Sequence, residues 1–168
     1  MCPPLQFPSV SKLHRYSINT RWTGNRGSGT LDYRAYSRDH LILAPGKATE
    51  IQGSSDPNFR GDKRRYNPEE MFVSSLSSCH MLWYLHLASV NGVVVLDYED
   101  RAEGTMLETD EGPGRFTQVT LRPRVRIADS AKIDLANRLH QEVGAKCYIA
   151  NSVRVPLTYE PETTASDH

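Results

Sequence analysis

The stretch from Asn67 to Gly92, NPEEMFVSSLSSCHMLWYLHLASVNG, constrains the fold more than any other part of the chain. Asn67 is a favourable N-cap, Pro68 suits the first helical position, and Glu70 stands where a capping-box partner belongs. Glu69 and Glu70 face the positive end of the helix dipole. Asn91-Gly92 supplies a stop, because glycine takes the left-handed conformation at little cost. Between these caps Phe72, Leu76, Cys79 and Trp83 recur at helical spacing, as do Met71, Leu82 and Leu85. An apolar surface this wide predicts a largely buried helix. Ser74, Ser75, Ser77 and Ser78 add a band of small residues across which another element can approach closely. Cys79, near the middle, is therefore a thiol shielded from bulk water.

The rest of the chain is strand-rich. His14 to Trp22 and Thr30 to Ser37 read as a hairpin around the turn TGNRGSG, with further short strands at Leu41–Leu43 and Ala48–Ile51. The polar segment Gly53–Tyr66 is a loop leading into the helix. After Gly92 a strand is expected from Val93 to about Met106. A second, with clean alternation, is expected from Arg115 to Ile127, where Pro123 demands an edge or a bulge. Asp129 or Ser130 then caps a second helix ending at Gly144, and Ser152 to Tyr159 forms a last strand. Strands, helix, strands, helix, strand is an α+β order. At 168 residues a single domain over 1–168 is expected, with a loose proline-bearing arm at 1–12 and a frayed tail at 161–168.

Lys plus Arg and Asp plus Glu both number 20, so no global field recruits nucleic acid or an anionic membrane. The longest apolar runs fall short of a membrane span. The N-terminus lacks the basic and apolar regions of a secretory signal, which makes the cytoplasm the expected location. Three cysteines in such a chain, Cys2, Cys79 and Cys147, suit free or catalytic thiols rather than a disulfide framework. Gly27 and Gly29 form a GxG in a turn, not between a strand and a helix, so no dinucleotide site follows.

Cys79 alone could be a small core hydrophobe. Cys147, where a helix end meets a strand, is placed to present its side chain, and the two could meet across the fold. To react, Cys79 must ionise, and mid-helix burial opposes this. A cation must be brought to it. The loop before the helix offers Arg60, singled out from the solvated Lys63-Arg64-Arg65 run, and Arg26 in the hairpin turn is a second source. Glu69 could hold such a guanidinium flat, against a simpler role in helix capping. Ten residues of helix put Glu69 about 15 Å from Cys79 along the axis. Two copies of the helix packed antiparallel would close that gap, so a homodimer with composite sites is expected. His80 reads as a hydrogen-bonded, partly buried histidine. A zinc site from Cys79, His80, His86 and His140 lacks ligand spacing and would silence the nucleophile.

NPEEMFVSSLSSCH resembles the first-cysteine motif of the OsmC/Ohr superfamily, the osmotically inducible protein C and organic hydroperoxide resistance proteins. LHQEVGAKCYIANSV resembles its second-cysteine motif, and WTGNRGSGT and VTLRPRVRI also fit, so the likeness runs from about residue 14 to 160. The resemblance implies an intertwined α+β dimer of the OsmC-like branch and a thiol peroxidase acting on organic hydroperoxides in oxidative stress defence. In that implied chemistry Cys79 is the peroxidatic thiolate and Cys147 the resolving thiol. Glu69 orients the activating arginine, a dithiol reductant of the lipoyl type resets the pair, and no metal, flavin or haem takes part. One branch takes its arginine from the loop before the helix, which maps on Arg60, with Phe59-Arg60 replacing an Arg-Phe order. The other takes it from the N-terminal hairpin, which maps near Arg26. Met71, Phe72, Leu82 and Trp83 could line an apolar pocket for the alkyl group. The competing reading is a non-enzymatic dimeric module that binds a small molecule or senses redox state.

Overall fold

The structure is a computed structural model describing residues 12–112 and 114–166. Cys2 and the expected N-terminal arm, apart from Lys12, lie outside the described residues. The one domain expected from length is organised as two compact units, Met1–Tyr66 and Asn67–His168.

In the first unit, strands β1 (Asn19–Trp22), β2 (His40–Leu43) and β3 (Ile51–Gly53) form an antiparallel sheet in that order. The hairpin partner of β1 is thus β2, with Trp22 opposite His40, and not the expected strand at Thr30–Ser37. Local hydrogen bonds explain the difference, because they draw the intervening backbone into turns. Asn25 Oδ1 accepts from the N–H groups of Gly27 and Gly29 at 2.9 and 3.0 Å. Asp32 Oδ1 accepts from Arg34 N–H at 2.7 Å. The excursion is closed by Ser37 N–H donating to Gly24 O at 2.9 Å and Trp22 Nε1–H donating to Ser37 O at 2.8 Å. The third strand begins at Ile51 rather than Ala48. A 3-10 turn, Pro57–Phe59, is capped by the Asp56 side chain and ended by Arg60 in the left-handed conformation, φ 67°.

The second unit begins with the capping box. Asn67 Oδ1 accepts from Glu70 N–H at 2.7 Å, and Glu70 Oε2 accepts from Asn67 N–H at 3.0 Å. Helix α1 runs from Pro68 to Val90. Strands β4 (Val95–Asp100), β5 (Glu103–Glu108), β6 (Gly114–Leu121) and β7 (Pro123–Ile127) follow. Helix α2 (Ile133–Lys146) and strands β8 (Leu157–Tyr159) and β9 (Glu162–Ala165) complete the unit. Two mixed sheets result, ordered β4-β7-β9 and β5-β6-β8, in which β8 and β9 pair parallel to β6 and β7.

Each long strand anticipated after α1 therefore breaks once and passes from one sheet to the other, at Arg101–Ala102 and at Arg122. Asp100 holds both crossings together: Oδ1 accepts from Arg122 N–H at 2.7 Å and Oδ2 accepts from the Ser77 hydroxyl at 2.5 Å. Pro123 is not on an edge. It occupies the first position of a central strand, where its missing donor costs least.

Three boundaries differ at the C-terminal side. Helix α2 continues through Gly144 to Lys146, preceded by a 3-10 turn at Ser130–Lys132 that Asp129 caps. The last strand starts only at Leu157, since Ala150–Ser152 is a 3-10 turn. Residues 162–165 of the expected frayed tail are strand β9, anchored by the Thr163 hydroxyl, 2.6 Å from Asn137 Oδ1.

Two apolar clusters fill the unit. One gathers Tyr84, Leu87, Ala88, Val125, Ile127, Ala136, Leu139, Val143 and Cys147; the other gathers Leu76, Val119 and Leu121. Burying each large side chain among these contributes on the order of 1.5–3 kcal/mol. Helix α1 fully buries the stripe Leu76, His80, Tyr84, Leu87 and Ala88 and covers much of the remainder only in part, less than the largely buried helix expected. Ser74, Ser78 and Leu82, spaced four apart, share a face that this chain leaves open, with Leu82 62 % exposed.

Candidate active site

Helix α1 presents Cys79 three turns in, half-buried, and the C-cap of α2 presents Cys147, only 1 % exposed. Their Sγ atoms lie 2.7 Å apart, both free thiols, with Cys147 donating toward Cys79. The helix end explains this placement. Cys147 N–H still donates to Val143 O at 2.9 Å, while its ψ of 113° turns the chain out of the helix. The following turn returns Ala150 N–H to the Cys147 sulfur at 3.4 Å. Ile149 and Ala150 pack against both apolar clusters, so the thiols sit at the seam where the two cores meet.

Burial pushes the Cys147 thiol up to about 11, and its hydrogen bond to Cys79 adds to this. Cys147 is therefore protonated at neutral pH and acts as a hydrogen-bond donor to the other sulfur. Arginine was expected to assist the inner thiol, and the structure places both candidates in the first unit. Arg60 is the left-handed cap of the 3-10 turn and Arg26 lies in the turn after β1; both are exposed, and no ion pair among the described residues involves either. Glu69 is half-exposed in the first turn of α1, likewise without an ion pair among the described residues. Because α1 is unbroken from Pro68 to Val90, the separation of about 15 Å between Glu69 and Cys79 within one chain stands.

Of the apolar residues expected to line a pocket, Phe72 packs against Phe116 at 4.8 Å between ring centroids. Trp83 meets Tyr148 edge to face at 5.7 Å, beside the thiols' cluster. Met71 is half-buried and Leu82 faces outward.

His80 is buried and hydrogen-bonded, as its position suggested, and its partner is a second buried histidine. His80 Nε2 lies 2.9 Å from His140 Nδ1, so one neutral ring donates and the other accepts. Burial lowers both rings, to about 4 for His80 and about 3 for His140, with His80 also acting on His140. Tyr84 stacks on His140 and Tyr159 on His80. Burial raises Tyr159 too, with Cys147 and Cys79 adding to the effect, which places its phenol in the thiols' electrostatic neighbourhood. Sequence reasoning missed Tyr84, Tyr159 and the role of His140. The seven-residue spacing from His140 to Cys147, two helical turns, was the available signal. Among the described residues no cluster of three or more His, Cys, Asp or Glu side chains could hold a metal ion. No described helix is long and apolar enough to cross a membrane.

These features define a class: an α+β protein whose two helices bring a paired dithiol to a shielded seam. The chain belongs to the OsmC-like protein family, whose model matches residues 61–162 and so spans Glu69, Cys79 and Cys147 but neither Arg60 nor Arg26. The chain is similar to an OsmC-like protein of unknown function, VCA0330 of Vibrio cholerae, at 30 % identity and a TM-score of 0.80, covering 89 % of this chain and 99 % of that one. The uncharacterized protein YmaD of Bacillus subtilis is 21 % identical over 145 residues, 84 % of this chain and 87 % of that one. The organic hydroperoxide resistance protein OhrB of Bacillus subtilis shares the fold, with a TM-score of 0.61 at 16 % identity over 91 % of this chain and all of that one.

Proposed function

We propose that the protein is a cysteine-based peroxidase that reduces organic hydroperoxides in oxidative stress defence, with Cys79 as the peroxidatic and Cys147 as the resolving residue. The observation that carries this reading is the approach of the two sulfurs to 2.7 Å at the seam of two apolar clusters. The organic hydroperoxide resistance proteins that share the fold support the substrate class.

In the proposed cycle the Cys79 thiolate attacks one peroxide oxygen. The O–O bond breaks, the sulfur takes that oxygen as a sulfenic acid, and the leaving alkoxide takes a proton to become the alcohol. The Cys147 sulfur then attacks the Cys79 sulfur, its proton leaves with the hydroxide as water, and a disulfide remains. A dithiol of the lipoyl type returns both thiols by exchange. In this proposal Trp83 and Tyr148, in ring contact beside the thiols' cluster, and Phe72, two turns before Cys79 on α1, would suit an alkyl or aryl hydroperoxide better than a hydrated one.

A second copy of the chain completes the site in this proposal. The open face of Ser74, Ser78 and Leu82 admits a close antiparallel α1, which would carry the partner's Glu69 toward Cys79 and remove the gap present within one chain. Arg60, or failing it Arg26, is the guanidinium that this Glu69 would hold beside the thiolate.

The test is peptide mass spectrometry before and after one equivalent of cumene hydroperoxide, with the cumyl alcohol measured in parallel. A Cys79–Cys147 cross-link formed with one equivalent of alcohol is expected. Two untouched thiols would sink the peroxidase reading and favour the ligand-binding module.

A further inference from the structure

Two side-chain hydrogen bonds join α1 to α2, and they run in parallel. Cys79 meets Cys147, and the next residue of α1, His80, meets His140, which precedes Cys147 by two turns on α2. Among the described residues no other side-chain hydrogen bond links the two helices. The apolar contacts between α1 and α2 resist separation but not sliding, since dispersion and burial are weakly directional. A hydrogen bond between two imidazoles is directional, and at 1 % exposure for each ring no water competes for it.

The rings around it hold that bond in place. His140 stacks on Tyr84 at 4.0 Å and 14°, His80 lies 5.2 Å from His140 at 6°, and Tyr159 covers His80 at 4.9 Å and 23°. The two imidazoles thus lie side by side in one plane, each with a tyrosine on its face, and the Tyr159 end of this array returns to the thiols. The Tyr159 hydroxyl lies 3.5 Å from the place a Cβ on Gly144 would occupy, one turn before Cys147. Helix α2 is thereby fixed at His140 and bounded at Gly144, so its last turn delivers Cys147 at one height and one rotation.

We propose that His80 and His140 are positioning residues, whose mutual hydrogen bond sets the register of α2 on α1 and with it the effective concentration of the Cys147 thiol at Cys79. The step they serve is the closure of the disulfide. In it the sulfur of Cys147 is oxidised, the sulfenic sulfur of Cys79 is reduced, and the thiol proton leaves with the hydroxide as water. The choice of that step rests on the peroxidase reading; the effect on the thiol pair does not.

The experiment equilibrates the full-length protein in mixtures of oxidised and reduced dithiothreitol, without peroxide, and reads the disulfide fraction from alkylation mass shifts. Leucine at either position removes the tie. His80→Gln and His140→Asn each place an amide near the ring nitrogen that makes the bond, and so keep it. His80→Leu and His140→Leu are expected to shift the equilibrium about tenfold or more toward the dithiol, about 30 mV. The Gln and Asn variants should stay within about threefold of the wild type on the same scale. Should a leucine variant fail to fold, His140→Gln, whose amide is displaced from Nδ1, takes its place with the same expected shift. A wild-type equilibrium in the variants that break the tie overturns the proposal, as does an equal loss in those that keep it. A wild type that never closes the Cys79–Cys147 bond overturns it also. Because no peroxide is present, a protein that shows these shifts yet consumes no hydroperoxide overturns the peroxidase reading and leaves this one standing.

Discussion

Cys147 directs its S–H at Cys79 across 2.7 Å while its own sulfur accepts Ala150 N–H at 3.4 Å. The two thiols are therefore unequal before any chemistry begins. Cys147 keeps its proton to about pH 11, so its S–H stays in place as the donor to the Cys79 sulfur. Iodoacetamide at pH 8 should label Cys79 and spare Cys147, with Cys147 reacting only as the pH climbs toward 11 or after unfolding. Site-resolved mass spectrometry checks this, and labelling of both at pH 8 would contradict it.

Under the proposed peroxidase cycle the same inequality separates the two cysteine variants. Cys79→Ser should abolish hydroperoxide consumption, because an alcohol supplies no soft anion. Cys147→Ser should give one turnover and then stall, with Cys79 advancing to sulfinic acid under excess peroxide. The product alcohol and a gain of about 32 daltons on the Cys79 peptide, the mass of two oxygens, are the readouts.

Arg60 and Arg26 are separated by substitution. Arg60→Ala is expected to slow both Cys79 alkylation at pH 7 and peroxide reduction by about tenfold, the effect of one pH unit of thiolate availability. Arg26→Ala should leave both rates unchanged. The reverse result would move the role to Arg26.

The two buried histidines make folding stability pH-dependent. Their folded values, about 4 and about 3, lie below the ordinary histidine value of 6.5, so the unfolded chain binds more protons between these limits. Stability should be level above pH 6.5 and fall as the pH drops toward 3, with the pair accounting for a loss on the order of a few kcal/mol. Urea unfolding at pH 7 and pH 4.5 measures it. The double variant His80→Gln/His140→Asn should show a shallower decline over the same window.

Asp100 is the joint of the second unit. Its two carboxylate bonds, to Ser77 and to the Arg122 N–H, should make Asp100→Ala cost about 2–4 kcal/mol in urea unfolding, since charge-assisted bonds contribute about 1.5–3 kcal/mol each and are not additive. Ser77→Ala removes one of them and should cost less than half as much.

What could be read from the chain alone follows the range of the forces involved. Helix α1 was legible to within a residue or two because its signals are local: Asn67, Pro68 and Glu70 act within one turn. The thiol pair was legible as two separate motifs, and the family resemblance joined them. The breaks at Arg101–Ala102 and Arg122 were not, because the carboxylate that fixes them is 22 residues from the N–H it accepts. Likewise Thr30–Ser37 has the composition of a strand, but Asp32 captures its backbone at Arg34 and Ala35, and Asn25 bends the chain just before it at Gly27 and Gly29. The extent of burial on α1 was overread for a different reason: apolar spacing reports which positions recur around a helix, not what packs against each of them. His80 showed itself as a buried histidine, but its partner lies 60 residues away and left only a spacing coincidence.

The parallel pairing of β8 with β6 and of β9 with β7 has a consequence for biosynthesis. Val119 waits for Leu157, and Arg124 for Glu162, before either sheet gains its third strand. Cys79 leaves the ribosome 68 residues before Cys147, and the strand β9 that packs on α2 is made later still. Throughout that interval the Cys79 thiol stands without the neighbour it has in the fold, so its redox state is set by the reductants and chaperones around the nascent chain rather than by its own architecture.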